Sequence, residues 1–271
     1  MTGGFRFGVV AVPDGSGAQW RDTARRVEDL GFSTLLSPDN LRLPTPTASL
    51  GVAAGVTDRL RLGTFVMASP LRTPRAAAWE GHSLSVLTDR RFELGLGTGN
   101  AQMQQLAEEI GLSYGTGPER LKQVEQTIDH VRELDGQEHT PVLMAAGGPK
   151  ARALAGSRAD IVTLAAPPLA TRDEVRSMAD EVRRAAGDRA DRIELSMTIF
   201  AVGTELPGWV EQFLGADSLT LAEHDSLVLL QGGPEARAEE LQRRREELGI
   251  TYFTVHANSY EELAPVVARL S

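Results

Sequence analysis

Cysteine is absent from this chain of 271 residues, and lysine occurs only at Lys122 and Lys150. Without a thiol the protein can form neither a disulfide nor a cysteine-ligated metal site, and it has no cysteine nucleophile. No two of the five histidines are three or four residues apart, so the helical spacing typical of a histidine metal site is also missing. The sequence therefore predicts a protein without a metal centre.

Long apolar runs and an excess of positive charge are missing too. No segment approaches the roughly 20 apolar residues of a membrane helix, and the mean hydropathy is -0.19. A net charge of -9 argues against nucleic acid or an anionic membrane as a partner. The segment Met1–Phe7 has no cationic stretch followed by an apolar run, so no signal peptide is predicted. We expect a cytoplasmic protein.

Apolar strand-like segments alternate with amphipathic helical segments along the whole chain. The predicted strands cover residues 5–12, 32–37, 60–67, 92–97, 141–145, 159–164, 193–202 and 250–256. The predicted helices cover residues 20–30, 47–56, 74–87, 103–110, 118–134, 150–156, 174–186, 234–248 and 260–270, with an irregular helical stretch at 206–231. Eight buried strands alternating with helices predict one closed (β/α)8 barrel over residues 1–271. A doubly wound open sheet is the alternative.

Glycine-rich or polar tips follow several predicted strands, at the barrel end where sites of this fold lie. Thr98, Gly99 and Asn100 follow one strand, and Asp39 and Asn40 follow another. The segment Gly147–Lys150 opens a short helix, whose free amide groups favour phosphate. Each of these tips is also ordinary turn chemistry. The missing GxGxxG after the first strand disfavours a nicotinamide dinucleotide site.

Three further residues or segments give weaker signals. Trp79 lies within a predicted helix and is expected to pack against the barrel. The acidic and basic residues of segment 239–245 are expected to form a solvated helical face with i, i+4 pairs. His256 ends the eighth predicted strand, where it reaches either the pocket or the surface.

The chain resembles the bacterial luciferase-like family of barrels, which bind a reduced flavin or deazaflavin. The matching motifs are Arg61–Thr64, Pro70–Pro74, Leu87–Gly97, Gly147–Pro149 and Glu247–Tyr252, and their order covers essentially the whole chain. Within the family, Gly97-Thr98-Gly99 followed by a polar residue is similar to the branch that uses the deazaflavin coenzyme F420.

This resemblance implies a set of site residues. It places Asp39, Asn40 and Asn100 in catalytic positions. It implies cofactor contacts for Asp39, Phe65, Val66, Thr98, Gly99, Asn100, Gly147, Gly148, Pro149 and Lys150, with a cis peptide bond between Phe65 and Val66. Asn40 stands where the family usually has histidine, and Asn100 where the best-known deazaflavin dehydrogenases have glutamate. Asparagine only hydrogen-bonds, so base-assisted alcohol oxidation at these positions is disfavoured.

The resemblance implies an oxidoreductase in which reduced F420 delivers a hydride to an activated C=C or C=N bond. Only about six residues join the helix ending near Leu134 to the strand beginning at Pro141, where the family usually has a longer insertion. A site with shortened insertions is open enough for a bulky peptide-bound or carrier-bound substrate as well as a small molecule. The alternatives are a monooxygenase supplied with FMNH2 by a separate reductase and a non-catalytic flavin-binding or partner protein. Family dimers are often formed by helices beside the second to fourth strands, so a homodimer is expected.

Overall fold

The computed structural model describes residues 4–271; Met1–Gly3, part of the segment predicted not to be a signal peptide, lie outside the described residues. All strand pairings within the main sheet are parallel, and β1 pairs with β11 while β3 pairs with β5. The sheet therefore closes on itself as a (β/α)8 barrel, as predicted. Its strands are β1 (Arg6–Val10), β2 (Thr34–Ser37), β3 (Arg61–Thr64), β4 (Met67–Ala68), β5 (Phe92–Gly97), β6 (Val142–Ala146), β7 (Ile161–Leu164), β8 (Glu194–Ile199) and β11 (Ile250–His256).

The third barrel position is occupied by two short strands, β3 and β4. Between them lies the Phe65–Val66 peptide bond, which is cis. The lower strand, β3, pairs with β2 and β5, whereas β4 pairs with β5 alone. The predicted cis bond is confirmed, and it lies in the break between β3 and β4.

Helices connect the strands and cover the barrel. They are α1 (Gly17–Asp29), α2 (Pro46–Ala54), α3 (Pro74–Leu87), α4 (Ala101–Glu109), α5 (Gly117–Asp135), α6 (Pro149–Arg158), α7 (Arg172–Ala186), α8 (Gly208–Leu214), α9 (Ser218–Glu223), α10 (Pro234–Leu248) and α11 (Tyr260–Leu270). Local sequence explains several of the starts. Thr116 and Thr171 each form a capping box with a glutamate three residues later.

Side chains alternate between the barrel interior and the helical layer. On β11, Phe253 and Val255 pack with the helices in the main apolar cluster, whereas Tyr252 belongs to a separate interior cluster. Because successive residues of a strand point to opposite faces, Thr254 and His256 also face the interior. This alternation places His256 at the mouth of the barrel, at the carboxyl end of its strands.

The opposite end of the barrel is closed by ion pairs. Glu93 is only 1% exposed, and its Oε1 atom accepts hydrogen bonds from Arg6 and Arg61 at 2.5 Å each. A second contact joins Arg6 to Glu194 at 2.5 Å. Buried charges need such pairing to offset the loss of hydration. The amino end is therefore structural, and the site must be sought at the mouth.

Three sequence predictions need correction. The stretch 206–231 is not one irregular helix, because α8 and α9 are followed by a short strand, β10 (Leu229–Leu230), which pairs in parallel with β9 (Ala201–Val202). Trp79 does not pack against the barrel, since it is 67% exposed on the outer side of α3. Segment 239–245 is not a wholly solvated face, because Arg244 is buried and donates to the carbonyl oxygens of Leu227 and Leu229.

Candidate functional site

Asp39 lies just after β2, buried beneath the mouth of the barrel. Its carboxylate accepts two hydrogen bonds from Arg72, at 2.5 and 2.9 Å, and one from the amide of Ala68 at 3.0 Å. Burial lowers the pKa of Arg72, but the hydrogen bond and charge of Asp39 raise it by more. All of these contacts hold the carboxylate in place. Asp39 thus ties the loop after β2 to β4.

Asn40 and Asn100 both use their side chains to hold the backbone around them. The Oδ1 atom of Asn40 accepts from the amide of Arg42 at 3.0 Å, an Asx turn. Asn100 is the N-cap of α4, and its Oδ1 accepts from the amides of Gln102 and Met103 at 3.0 and 3.3 Å. Both amide oxygens are occupied, so neither residue supplies a group that exchanges protons.

Phe65 and Val66 sit at the upper edge of the barrel interior. They are partly buried and pack against the interior cluster that contains Val10 and Tyr252. Gly97, on the neighbouring β5, makes room for Val66, because a Cβ at position 97 would lie 2.6 Å from a methyl carbon of Val66. Together they form a low apolar ledge against which a flat ring can lie.

The Thr98–Asn100 tip is fixed by the segment that follows it. Arg120 donates to the carbonyl oxygen of Thr98 at 2.8 Å, and its guanidinium stacks over Tyr114, 3.9 Å from the ring centre. The hydroxyl of Tyr114 in turn donates to the carbonyl oxygen of Asn100 at 2.8 Å. Gly99 has a φ of +73°, which favours glycine. The tip is therefore held by its backbone while the Thr98 hydroxyl stays available.

Gly147 and Gly148 follow β6 and lead into α6, with Gly148 as N-cap and Pro149 in the first turn. Gly147, Gly148, Pro149 and Lys150 are all exposed, and a Cβ at Gly148 would meet nothing within 4 Å. Arg152 donates to the carbonyl oxygen of Gly147 and to Glu181, which fixes the turn from below. An open helix start with a nearby lysine suits an anionic group.

These placements agree with a slot for a tricyclic cofactor with a phosphate-bearing tail. Strands β4, β5 and β6 are neighbours, so the ledge, the Thr98 tip and the Gly147 turn follow one another along the mouth. The donors and the glycines fit the group. The aligned features are the ledge of Phe65 and Val66, the Thr98 tip and the start of α6.

Sequence reasoning missed the role of Arg72 at the mouth. Arg72, which holds Asp39, lies inside one of the matching motifs, and the pairing of a lone aspartate with a later arginine cannot be inferred from spacing. For His256 the sequence left both the pocket and the surface open, and the structure places it at the mouth. Its ring lies 5.1 Å from that of Phe200 and 5.0 Å from that of Trp209, and burial lowers its pKa to about 4.

A cavity of about 690 Å³ opens beside the mouth, where the chain leaves β9 and β11. It lies between the first turns of α10 and α11, and Arg237 and Glu262 form an ion pair at 2.5 Å on its wall. None of the predicted cofactor residues lines it. It flanks the candidate site on the β8–β11 side.

Within residues 4–271, no group of three or more histidine, aspartate or glutamate residues is arranged to hold a metal ion. No helix in that range is long and apolar enough to cross a membrane.

Curated relatives match only part of the chain. One is the F420-dependent glucose-6-phosphate dehydrogenase of Intrasporangium calvum, which is 26% identical over 170 residues. That match covers 51% of this chain and 51% of the relative, so the chain spans about half the length of the curated relatives it matches.

Solved structures match the fold over nearly the full chain. The coenzyme F420-dependent tetrahydromethanopterin reductase of Methanopyrus kandleri superposes with a TM-score of 0.76 at 17% identity, covering 99% of this chain and 98% of the other. The oxygenating constituent of 3,6-diketocamphane monooxygenase from Pseudomonas putida, in complex with FMN, gives 0.74 at 14% identity, covering 98% and 95%. The model of the family described as luciferase-like monooxygenase matches residues 5–207, and the chain belongs to that family.

Proposed function

We propose that this protein is an oxidoreductase that uses reduced coenzyme F420 to reduce an electron-poor C=C or C=N bond. The substrate is a small molecule or a group bound to a peptide or carrier protein. When bound, the reduced deazaflavin supplies the hydride. The name of the F420-dependent relative supports this cofactor, and FMN is the alternative.

One observation supports reduction of a double bond over oxidation of an alcohol. All three residues in the predicted catalytic positions are committed to other contacts: Asp39 to Arg72 and Ala68, Asn40 to a turn and Asn100 to a helix cap. None of them is placed to accept a proton from an alcohol. Reduction of a polarised double bond needs no such base, because water can supply the final proton.

The chain itself positions the reactants. Phe65, Val66 and Gly97 shape the surface beneath the ring, and Thr98 hydrogen-bonds its polar edge. The amide groups at the start of α6, with Lys150, bind the phosphate of the tail. Asp39 and Arg72 hold β4 and the loop after β2 in register, so the ledge keeps its shape.

Cofactor binding tests the proposal. The purified chain is titrated with F420 and with FMN, and binding is followed by absorbance. We expect saturable F420 binding that weakens about tenfold in Lys150→Ala, because a phosphate loses one charge partner, and that is unchanged in Lys122→Ala. Preference for FMN would favour the two-component monooxygenase.

Turnover tests the reaction. Reduced F420 is mixed with activated alkenes and imines, and its oxidation is followed with and without enzyme. We expect substrate-dependent oxidation of the reduced cofactor. Tight binding with no turnover of any acceptor would favour the non-catalytic flavin-binding protein.

A further inference from the structure

A histidine with no assigned role lies at the mouth of the barrel. His256 is the last residue of β11 and faces the interior, on the same side as Tyr252 and Thr254. Its imidazole makes no hydrogen bond to any residue in the range 4–271, whereas the neighbouring polar pair Thr198 and Thr254 is joined at 2.9 Å. A half-buried imidazole with free nitrogens is available to a ligand.

The surroundings of His256 connect it to the proposed ring site. Its register partner on β1 is Val10, and Val10 belongs to the interior cluster against which Phe65 and Val66 pack. The imidazole and the ledge of Phe65 and Val66 therefore border the same barrel interior. On the other side, Phe200 and the 48% exposed Trp209 pack against the imidazole, with ring centres 5.1 and 5.0 Å away.

Its protonation state defines what the imidazole can do. The neighbouring Val10, Phe200 and Trp209 carry no charge, and burial is the sole cause that lowers the pKa of His256 to about 4. At neutral pH the ring is therefore uncharged, with one N–H donor and one nitrogen acceptor. A neutral imidazole is a poor proton donor but can polarise a carbonyl group by hydrogen bonding.

We propose that His256 hydrogen-bonds the substrate directly and that the substrate is an alkene conjugated to a carbonyl group. This inference rests on the proposed reductase function and narrows its acceptor class. The imidazole N–H donates to the carbonyl oxygen. An iminium ion loses positive charge during reduction and gains little from such a donor, so the arrangement favours C=C over C=N.

The proposed step balances as follows. The hydride forms a new C–H bond at the β-carbon, the C=C π bond breaks and its electron pair moves onto the carbonyl oxygen. The N–H of His256 stabilises this negative charge. The α-carbon then takes a proton from water as the carbonyl re-forms. The alkene gains two electrons and two hydrogens, matched by the two-electron oxidation of the deazaflavin.

Enzyme kinetics test the role of His256, with 2-cyclohexen-1-one as the conjugated probe. His256→Leu removes the donor and His256→Gln keeps one, while His130→Leu, at a half-buried surface position of α5 beside Glu133, is the matched control. We expect kcat to fall about 100-fold in His256→Leu, as for loss of one oxyanion donor, with partial recovery in His256→Gln. F420 affinity should stay the same in all three variants. A His256→Leu enzyme with the kcat of the wild type would overturn the proposal.

A readout without turnover separates this proposal from the reductase function. Side-chain ¹⁵N–¹H NMR of histidine-labelled protein is recorded during titration with 2-cyclohexen-1-one, and the His256 signal is assigned by its loss in His256→Gln. We expect this signal to shift with the enone and not with cyclohexene, which lacks the carbonyl. If the wild type oxidises no reduced F420, the function fails while a shift still supports the contact. An unmoved His256 signal overturns the contact whether or not turnover occurs.

Discussion

Asp39 and Arg72 form a buried pair whose two members are 33 residues apart in the chain, and their side chains are 4% and 15% exposed. Removing one partner leaves an uncompensated charge inside the protein. We expect Arg72→Ala to destabilise the fold by about 3 kcal/mol. The double variant Asp39→Ala/Arg72→Ala should lose less than the sum of the single losses. Thermal and denaturant unfolding measure both.

Arg42→Ala is the matched control for that pair. Arg42 contacts Glu109 at 3.0 Å on the surface, and both side chains are well exposed. Exposed ion pairs contribute less than about 1 kcal/mol. Equal losses in Arg42→Ala and Arg72→Ala would contradict the role given to the buried pair.

Gly97 is a second residue whose size matters. A methyl group there would lie 2.6 Å from Val66, on the ledge itself, so we expect Gly97→Ala to destabilise the fold by about 1–3 kcal/mol and to weaken cofactor binding. Gly51, inside α2, would meet nothing within 4 Å, so Gly51→Ala should be neutral or stabilising by up to about 1 kcal/mol. Chemical denaturation and F420 titration compare the two variants.

At the level of single residues, the sequence predicted local backbone features better than contacts between distant parts of the chain. It predicted the Phe65–Val66 cis bond, and it placed the start of α6 at Lys150, one residue from the observed Pro149, because local motifs carry both features. It missed the Arg72 partner of Asp39 and the burial of Arg244, since both depend on chain segments far apart in sequence. The cofactor roles of Thr98, Gly99, Gly147, Gly148, Pro149 and Lys150 remain predictions.

Among the elements, α10 shows how a charged helix is anchored. Glu240 accepts hydrogen bonds from Arg172 and Arg244, each at 2.7 Å, and Arg244 also binds the carbonyl oxygens that precede and form β10. Burial raises the pKa of Glu240, but these arginines, with Arg243, outweigh it and lower the pKa to about 2. The cluster therefore joins α7, α10 and β10.

This lowered pKa predicts an acid-sensitive element. A carboxylate with a folded-state pKa near 2 and an unfolded value of 4.5 adds stability above pH 4.5, and that stability is lost as the pH falls from 4.5 towards 2. Glu240→Gln should lower the melting temperature at pH 7 and flatten its decline over that interval. Circular dichroism melts across pH 3–7 measure it. Glu235→Gln, on the exposed first turn of α10, is the control and should leave the acid decline intact.

Element boundaries were predictable where proline marks the start of a helix, as at Pro74 of α3 and Pro234 of α10. Strand β5 and helices α3, α10 and α11 begin and end at the predicted residues. The stretch from residue 206 to residue 231 was not, because short helices and a strand of two residues leave no periodic signal. Their conformation is set by the barrel beneath them.

For the whole molecule, closure of the barrel predicts how the chain unfolds. The first strand, β1, pairs with the last, β11. A fragment that lacks either end of the chain therefore cannot form the closed sheet. We propose that residues 1–271 form one domain and predict a single cooperative unfolding transition. A fragment ending at residue 207 should show no such transition. Calorimetry of the full chain and the fragment decides, and two separate transitions would contradict a single domain.

A band of exposed apolar side chains bears on assembly. Trp79, Val86 and Leu87 lie on one side of α3, and Val52 lies on the neighbouring α2; their exposures range from 43% to 79%. Patches of this kind mark interaction sites on soluble proteins, and we propose that they form the interface of a homodimer. Trp79→Glu should shift the mass measured by light scattering to that of a monomer. Leu219→Glu, equally apolar and exposed but on α9, should not.

The (β/α)8 architecture could be predicted from the sequence because the strand–helix alternation repeats eight times. An error in one segment therefore does not change the predicted fold. The cavity between α10 and α11 could not be predicted, because its lining comes from three segments, around residues 202–207, 232–237 and 258–262, that are far apart in the chain. The choice between F420 and FMN likewise depends on a few contacts in a fold that serves both.

The parallel pairing of β9 and β10 limits how the segment between them can be redesigned. Antiparallel strands can be joined by two residues, but parallel neighbours need a crossover of about a dozen or more. Residues 203–228, with Trp209, thus cannot be shortened to a tight turn without unpairing Val202 from Leu230. Variants of this segment should accordingly be made by exchanging side chains or grafting loops of similar length, rather than by deletion.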